Sequence, residues 1–154
     1  TETIGWRGGE LRGVVHDENA WLLAGHGCAG HAGLFGTASA VARFGVALLD
    51  ALSGADASWL DASALAAFVR ERPGGTLRAG FDGRSPGPSV AGQRAGPSTF
   101  GHLAFTGTSL WWDPHAGLAT VLLTNRVCPT RQDVRLRAAR SGVQDALYAL
   151  VACP

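Results

Sequence analysis

The sequence predicts an α+β domain, and three observations predict it. Two stretches of helical periodicity with N-cap residues fill much of the first half. Runs rich in β-branched and aromatic residues follow, separated by Gly, Pro and Asp. An amphipathic helical stretch then closes the chain. With 154 residues, 46% of them hydrophobic, the chain can bury one sizeable core.

Residues 1–36 are glycine-rich and aperiodic and read as ordered loop, with one short helical turn near Asn19 to Leu23. Thr37 can cap a helix running to about Leu52, since Val41, Phe44, Leu48 and Leu52 fall near one face. Gly54 is a suitable stop. A second helix is predicted from its cap Asp61 to Arg70 or Arg72, with Leu65, Phe68 and Val69 inward. Pro73 and two glycines end it.

From Thr76 the pattern changes. "TLRAGFD" reads as a strand, and "GRSPGPSVAGQRAGPS" (83–98) as a long, exposed, mobile loop. Two strands follow, over Thr99 to Trp112, with a break at Gly107, and over Leu118 to Thr124. "DPHAG" joins them as a turn. Along such strands Trp111 and Trp112 face opposite sides, and Thr106 and Thr108 share a face. The last helix is predicted to start at Thr130, with Asp133 completing a capping box and Leu136, Val143, Leu147 and Leu150 as its buried stripe.

A sheet this small, with one helix on one face, calls for a further strand or cover. The chain therefore reads as a single partial domain over 1–154, helical and loop-rich over 1–75, sheet and closing helix over 76–154. Uncovered strand edges are templates for pairing. That predicts self-association, or a complementing N-terminal fragment, through the exposed edge of the "FGHLAFTGT" hairpin.

Composition narrows the function classes. The formal net charge of +1 gives no strong pull toward nucleic acid or an anionic membrane. Apolar runs are short, so no membrane span is expected, and no signal peptide is read. The three cysteines, Cys28, Cys128 and Cys153, make no CxxC and read as small buried thiols. Methionine is absent, so Thr1 does not read as an unprocessed start. All 13 basic side chains are arginine. A lysine-dependent mechanism is therefore excluded for this chain alone.

Five segments occur in an informative order: "GVVHDENAW", "AGHAGLFGTASAVARFGVALL", "AGFD", "FGHLAFTGTSLWWDP" and "VLLTNRV". Together, over Trp6 to Leu150, the chain resembles the serine β-lactamase-like hydrolases, which include class C β-lactamases, penicillin-binding DD-peptidases and esterases. The resemblance implies part of a β-lactamase/transpeptidase-like fold and an acyl-serine mechanism on a small-molecule ester or amide. It implies no cofactor and favours a bacterial cell envelope or periplasm. In the family a serine of an S-x-x-K box attacks the acyl carbonyl, and a tyrosine box assists. An unactivated hydroxyl needs such a base, and the tetrahedral oxyanion needs N–H donors.

The family's third box, K-T-G or H-T-G, falls here on His102, Leu103 and Ala104. The resemblance implies catalytic roles for His102, in the basic position, and for Phe105, through its backbone N–H. It implies substrate contacts for Leu103, Ala104 and Thr106. Leu103 stands where the family has threonine and Ala104 where it has glycine, which points away from carboxylate-bearing substrates and toward an esterase-like or unassigned hydrolase. The serine–lysine and tyrosine boxes are not in this sequence. The chain thus reads as the C-terminal portion of such a hydrolase, inactive alone.

Other readings of the residues stand beside this one. His102 suits a structural role on a half-exposed strand. The fold could serve as a non-catalytic ligand- or peptidoglycan-binding relative. "HDEN" (His16 to Asn19) suits an acid–base site, or side chains bonding loop backbone. His26, Cys28 and His31 suggest a metal-binding module, although no standard spacing is met. Ser109 sits in no G-x-S-x-G elbow.

Overall fold

The computed structural model describes residues 1–56 and 58–151. The expectation of a buried thiol at Cys153 lies outside the described residues.

The N-terminal stretch forms a two-stranded ribbon, β1 (Thr3–Ile4) against β2 (Gly9–Glu10). Three helices follow. Asp17 caps α1 (Glu18–Leu23) by accepting the Ala20 N–H. Thr37 caps α2 (Ala38–Ser53) through Ala40 N–H, and left-handed Gly54 ends it. Asp61 caps α3 (Ala62–Val69) through Ala64 N–H. The caps Thr37 and Asp61 and the stop at Gly54 are those predicted from the sequence; the Asp17 cap was not predicted, and α3 ends at Val69, short of the predicted Arg70 or Arg72. The inward face differs in part: Phe44 and Phe68 are about half exposed, and Gly45, Leu48, Ala51, Leu65 and Val69 carry the burial.

The sheet has four antiparallel strands in the order β3-β4-β5-β6. They are β3 (Asp82–Gly83), β4 (Phe100–Leu103), β5 (Ser109–Asp113) and β6 (Leu118–Leu122). "TLRAGFD" is not a strand. Its chain folds back on itself at left-handed Gly80, with Arg78 N–H donating to Phe81 O, so only two residues reach the sheet. The run from Thr99 to Trp112 is a hairpin rather than one broken strand, and Thr106 and Thr108 lie in its connection.

Phe100, Leu110, Trp112 and Ala119 face α2 and α3, where Phe100 stacks on Trp112 at 5.4 Å. The fit is close at Gly45, where an added Cβ would stand 2.8 Å from that of Ala119. Trp111 faces the other way, into a cluster with Ala91, Ala95 and Tyr148. The two tryptophans therefore divide between the faces as predicted. Segment 83–98 is not an exposed loop: Ser89, Ala91 and Ala95 are buried. The Asp145 carboxylate accepts the Gln93 and Arg94 amides, and Asp113 accepts the Gly96 amide.

The last helix, α4 (Arg135–Val151), begins later than predicted; Asp133 accepts the Arg135 N–H at 2.9 Å, and Thr130 caps nothing here. Its buried stripe is polar: Arg140, Gln144 and Tyr148. Leu136, Val143 and Leu147 are only half-buried, and Leu150 is exposed. Gln144 accepts from Thr120 at 2.7 Å and donates to Ser109 at 3.2 Å. Tyr148 donates to Asp113 at 3.2 Å. Gln144 and Tyr148 thus meet polar partners on the sheet, as burial requires. Cys28 and Cys128 are exposed, not buried. No described helix is long and apolar enough to cross a membrane.

Candidate active site

β4 ends in a tight connection to β5. Ala104 N–H donates to Thr108 O at 2.9 Å, and Gly107 N–H returns to Ala104 O at 3.0 Å. Gly107 holds φ at +105°, a region β-carbons disfavour, and an added Cβ would strike Thr124 and Leu136. Glycine is therefore required for this turn.

The turn is pinned from outside by arginines. Arg126 Nε donates to Phe105 O at 2.7 Å, and its backbone N–H to Thr106 O at 2.9 Å. Its guanidinium lies 4.7 Å from the Phe105 ring centroid, with Arg131 at 5.7 Å and the His16 ring stacked at 6.1 Å. From α4, Arg140 Nη2 donates to Ala104 O at 3.2 Å. Three consecutive carbonyls, those of 104, 105 and 106, are held in this way.

Against this fixed backbone the predicted residues take distinct places. β3 pairs only with Phe100 and Gly101, so His102 and Leu103 have no strand partner on that side among the described residues. His102 is exposed, and its ring makes no hydrogen bond among the described residues. The Phe105 N–H is likewise unbonded among them. Leu103 packs toward the α4 face with Trp111 and Tyr148, so its side chain is occupied in the core. Ala104 and Thr106 are half-buried in the turn.

The other polar motifs act locally. Glu2 is buried and accepts from Arg131 at 2.9 Å and from His16 Nε2 at 2.7 Å. Burial raises its carboxyl, but the Arg131 and His16 bonds outweigh that and bring it to about 2. Glu18 joins the same network through Arg131 at 2.9 Å. Asp17, besides capping α1, meets His31 at 3.0 Å. "HDEN" thus bonds mainly to side chains, in a network that ties β1 and α1 to the chain beside the Phe105 turn.

His26 stacks on Trp21 at 4.1 Å, and among the described residues no three His, Cys, Asp or Glu side chains are grouped to hold a metal ion. His26, Cys28 and His31 are thus not gathered into such a group in this structure. Tyr148, the one tyrosine of the chain, is buried on the inner face of α4 against Asp113 and Trp111, and burial pushes it up to about 12. Ser109 is buried under Gln144.

Sequence reasoning missed Arg126, Arg131 and Arg140. Arg126 lay within the "VLLTNRV" segment, but nothing marked its role. Arg140 carried no signal beyond its spacing of four from Gln144.

Comparison with known proteins follows the same outline. The family model described as Beta-lactamase matches residues 3–144. A protein of Salmonella agona named "Putative D-alanyl-D-alanine carboxypeptidase" is 35% identical over 119 residues, covering 75% of this chain and 27% of that protein. Its namesake in Salmonella gallinarum is 36% identical over equal shares. The chain therefore spans about a quarter of the length of these curated relatives. The crystal structure of a β-lactamase, Mb2281c from Mycobacterium bovis, superposes with a TM-score of 0.56 at 28% identity, over 73% of this chain and 43% of that one. With a family match that runs from β1 into the middle of α4, this chain belongs to the Beta-lactamase family.

Proposed function

We propose that this chain is the C-terminal part of an acyl-serine hydrolase and that the end of β4 forms one wall of its acyl site. The observation that carries this reading is the Phe105 N–H. It is unbonded among the described residues, on a turn whose carbonyls are pinned, three positions from exposed His102. A free donor on a fixed backbone is what a tetrahedral oxyanion requires.

In this mechanism a serine hydroxyl from sequence outside this chain attacks the acyl carbonyl, and a base there takes its proton. The carbonyl oxygen becomes the oxyanion and accepts from Phe105 N–H. Collapse expels the leaving group, and water then frees the acyl group from serine. His102 stands beside that path and orients the substrate or donates to it. Ala104 and Thr106 border the site, and Leu103 contributes backbone rather than side chain. The relatives' names make D-alanyl-D-alanine peptides the first substrates to try, with simple esters as the second class.

Serine-directed fluorophosphonate labelling of the full-length protein tests the reading, followed by turnover of p-nitrophenyl esters and D-alanyl-D-alanine peptides. One labelled serine and hydrolysis of either class is expected. A folded full-length protein that takes no label and turns over neither class would establish the non-catalytic binding alternative instead.

A further inference from the structure

Arg140 is a buried cation without an anion. It is 8% exposed, yet no carboxylate lies within ion-pair distance among the described residues. Burial pushes its pKa down, and the charges of Arg126 and Arg137 push it further the same way. Its Nε has no hydrogen-bond partner among the described residues. A guanidinium stays charged in proteins, so this one remains a desolvated positive charge at a cost to stability. Other buried polar groups of α4 are treated differently: Gln144 and Tyr148 both find polar side chains on the sheet.

The one acceptor Arg140 has among the described residues is informative. Its Nη2 donates to Ala104 O, which also accepts from Gly107 N–H. Ala104 O belongs to the peptide unit that carries the Phe105 N–H. In a trans peptide the C=O and N–H point in opposite directions. Two donors that hold the carbonyl inward therefore aim the N–H outward. A cation on the carbonyl also draws electron density from the amide and makes its N–H a stronger donor, because hydrogen bonds in a chain polarise one another.

We propose that Arg140 is a positioning residue that orients and polarises the Ala104–Phe105 peptide so that the Phe105 N–H can stabilise an acyl oxyanion. The proposal rests on the acyl-site reading above. It also explains why the positive charge has no carboxylate beside it: a neutralising anion would cancel the field at the developing oxyanion. Arg126 fixes the neighbouring carbonyls but contacts the next two peptides, so it sets the turn rather than this amide.

The test uses the full-length protein with Arg140→Gln and Arg140→Lys. The first readout is the Phe105 amide proton shift, with the rest of the spectrum as the control for fold. Arg140→Gln should move it upfield, and Arg140→Lys should move it less. The second readout is the single-turnover acylation rate, which should fall about tenfold or more in Arg140→Gln with little change in KM, a smaller loss than removing an oxyanion donor outright. Partial recovery is expected in Arg140→Lys.

A folded Arg140→Gln protein with an unchanged Phe105 amide and wild-type acylation overturns the proposal, and a lowered Tm alone would make Arg140 a helix anchor. If Arg140→Gln fails to fold, Arg140→Lys decides on the same two readouts. If the wild-type protein takes no acyl label, the hydrolase reading fails, and the amide shift alone judges Arg140.

Discussion

Glu2→Gln is the most informative perturbation of the network beside the turn. Glu2 is 4% exposed and accepts from Arg131 N–H, Nε and Nη2 and from His16. Its carboxyl falls from an ordinary 4.5 to about 2, so the gap is 4.5 − 2, or about 2.5. At about 1.36 kcal/mol for each pH unit this corresponds to about 3 kcal/mol. Arg131 is 38% exposed, and screening there trims the figure to about 2–3 kcal/mol. The folded pKa lies below the unfolded one. The stabilisation is therefore fully present above pH 4.5 and is lost as pH falls toward about 2. Urea denaturation across pH 7 to 2 is the assay. Glu2→Gln should be less stable by about 2–3 kcal/mol at pH 7 and should show a correspondingly smaller fall between pH 4.5 and 2, since Asp113 and Asp17, also held low, still titrate there. If wild type and Glu2→Gln lose stability in parallel over that range, the carboxylate is not the anchor described here.

Two further outcomes are expected. Gly107→Ala should cost about 2–4 kcal/mol, because positive φ and the clash with Leu136 act together; a Tm equal to wild type would show that the turn tolerates a β-carbon. If the proposed acyl site holds, His102→Ala in the full-length protein should lower kcat/KM by about 10–1000-fold, or roughly 1.4–4 kcal/mol, with Tm nearly unchanged because the ring is exposed. An intact rate with a lowered Tm would make His102 structural.

What was legible in the sequence follows the physics of each element. Thr37, Asp61 and Gly54 marked their helix ends because caps act through local bonds. The opposed tryptophans were legible from period-2 geometry, whereas the reversal that makes 99–112 a hairpin was read only as a break at Gly107. α4 was misread because its inner stripe is polar. Hydrophobic periodicity singled out Leu136 and Leu150, whereas the sheet offers Ser109, Asp113 and Thr120 to the helix. Such pairing across the fold leaves no local trace. The candidate site was legible in its strand, through the third-box resemblance at His102 to Ala104. The arginines around it were not, because their acceptors are backbone carbonyls, which every residue carries.

The sheet edge predicted on β4 is open at its end, where β3 leaves His102 and Leu103 unpaired among the described residues, and β6 presents a second, longer one. β3 covers half of β4, whereas the outer edge of β6 pairs with nothing among the described residues. β6 reads Leu-Ala-Thr-Val-Leu, with no charge, proline or bulge to deter pairing. Beside it runs an apolar groove between α2 and α4, lined by Ala38, Ala42, Val121, Leu147 and Leu150. An apolar edge of this kind, in a chain produced alone, should pair with the same edge of a second copy: β6 against β6 buries both grooves at once and needs no other partner. Sedimentation or light scattering of the isolated chain should then show concentration-dependent association. Val121→Lys, which sets a charge in the groove on the side chain next to the edge, should shift that equilibrium to monomer while leaving the far-UV spectrum unchanged. An isolated chain that stays monomeric at every concentration, with the same spectrum as its Val121→Lys variant, would mean that the edge is protected by its own chain, and the prediction would fail.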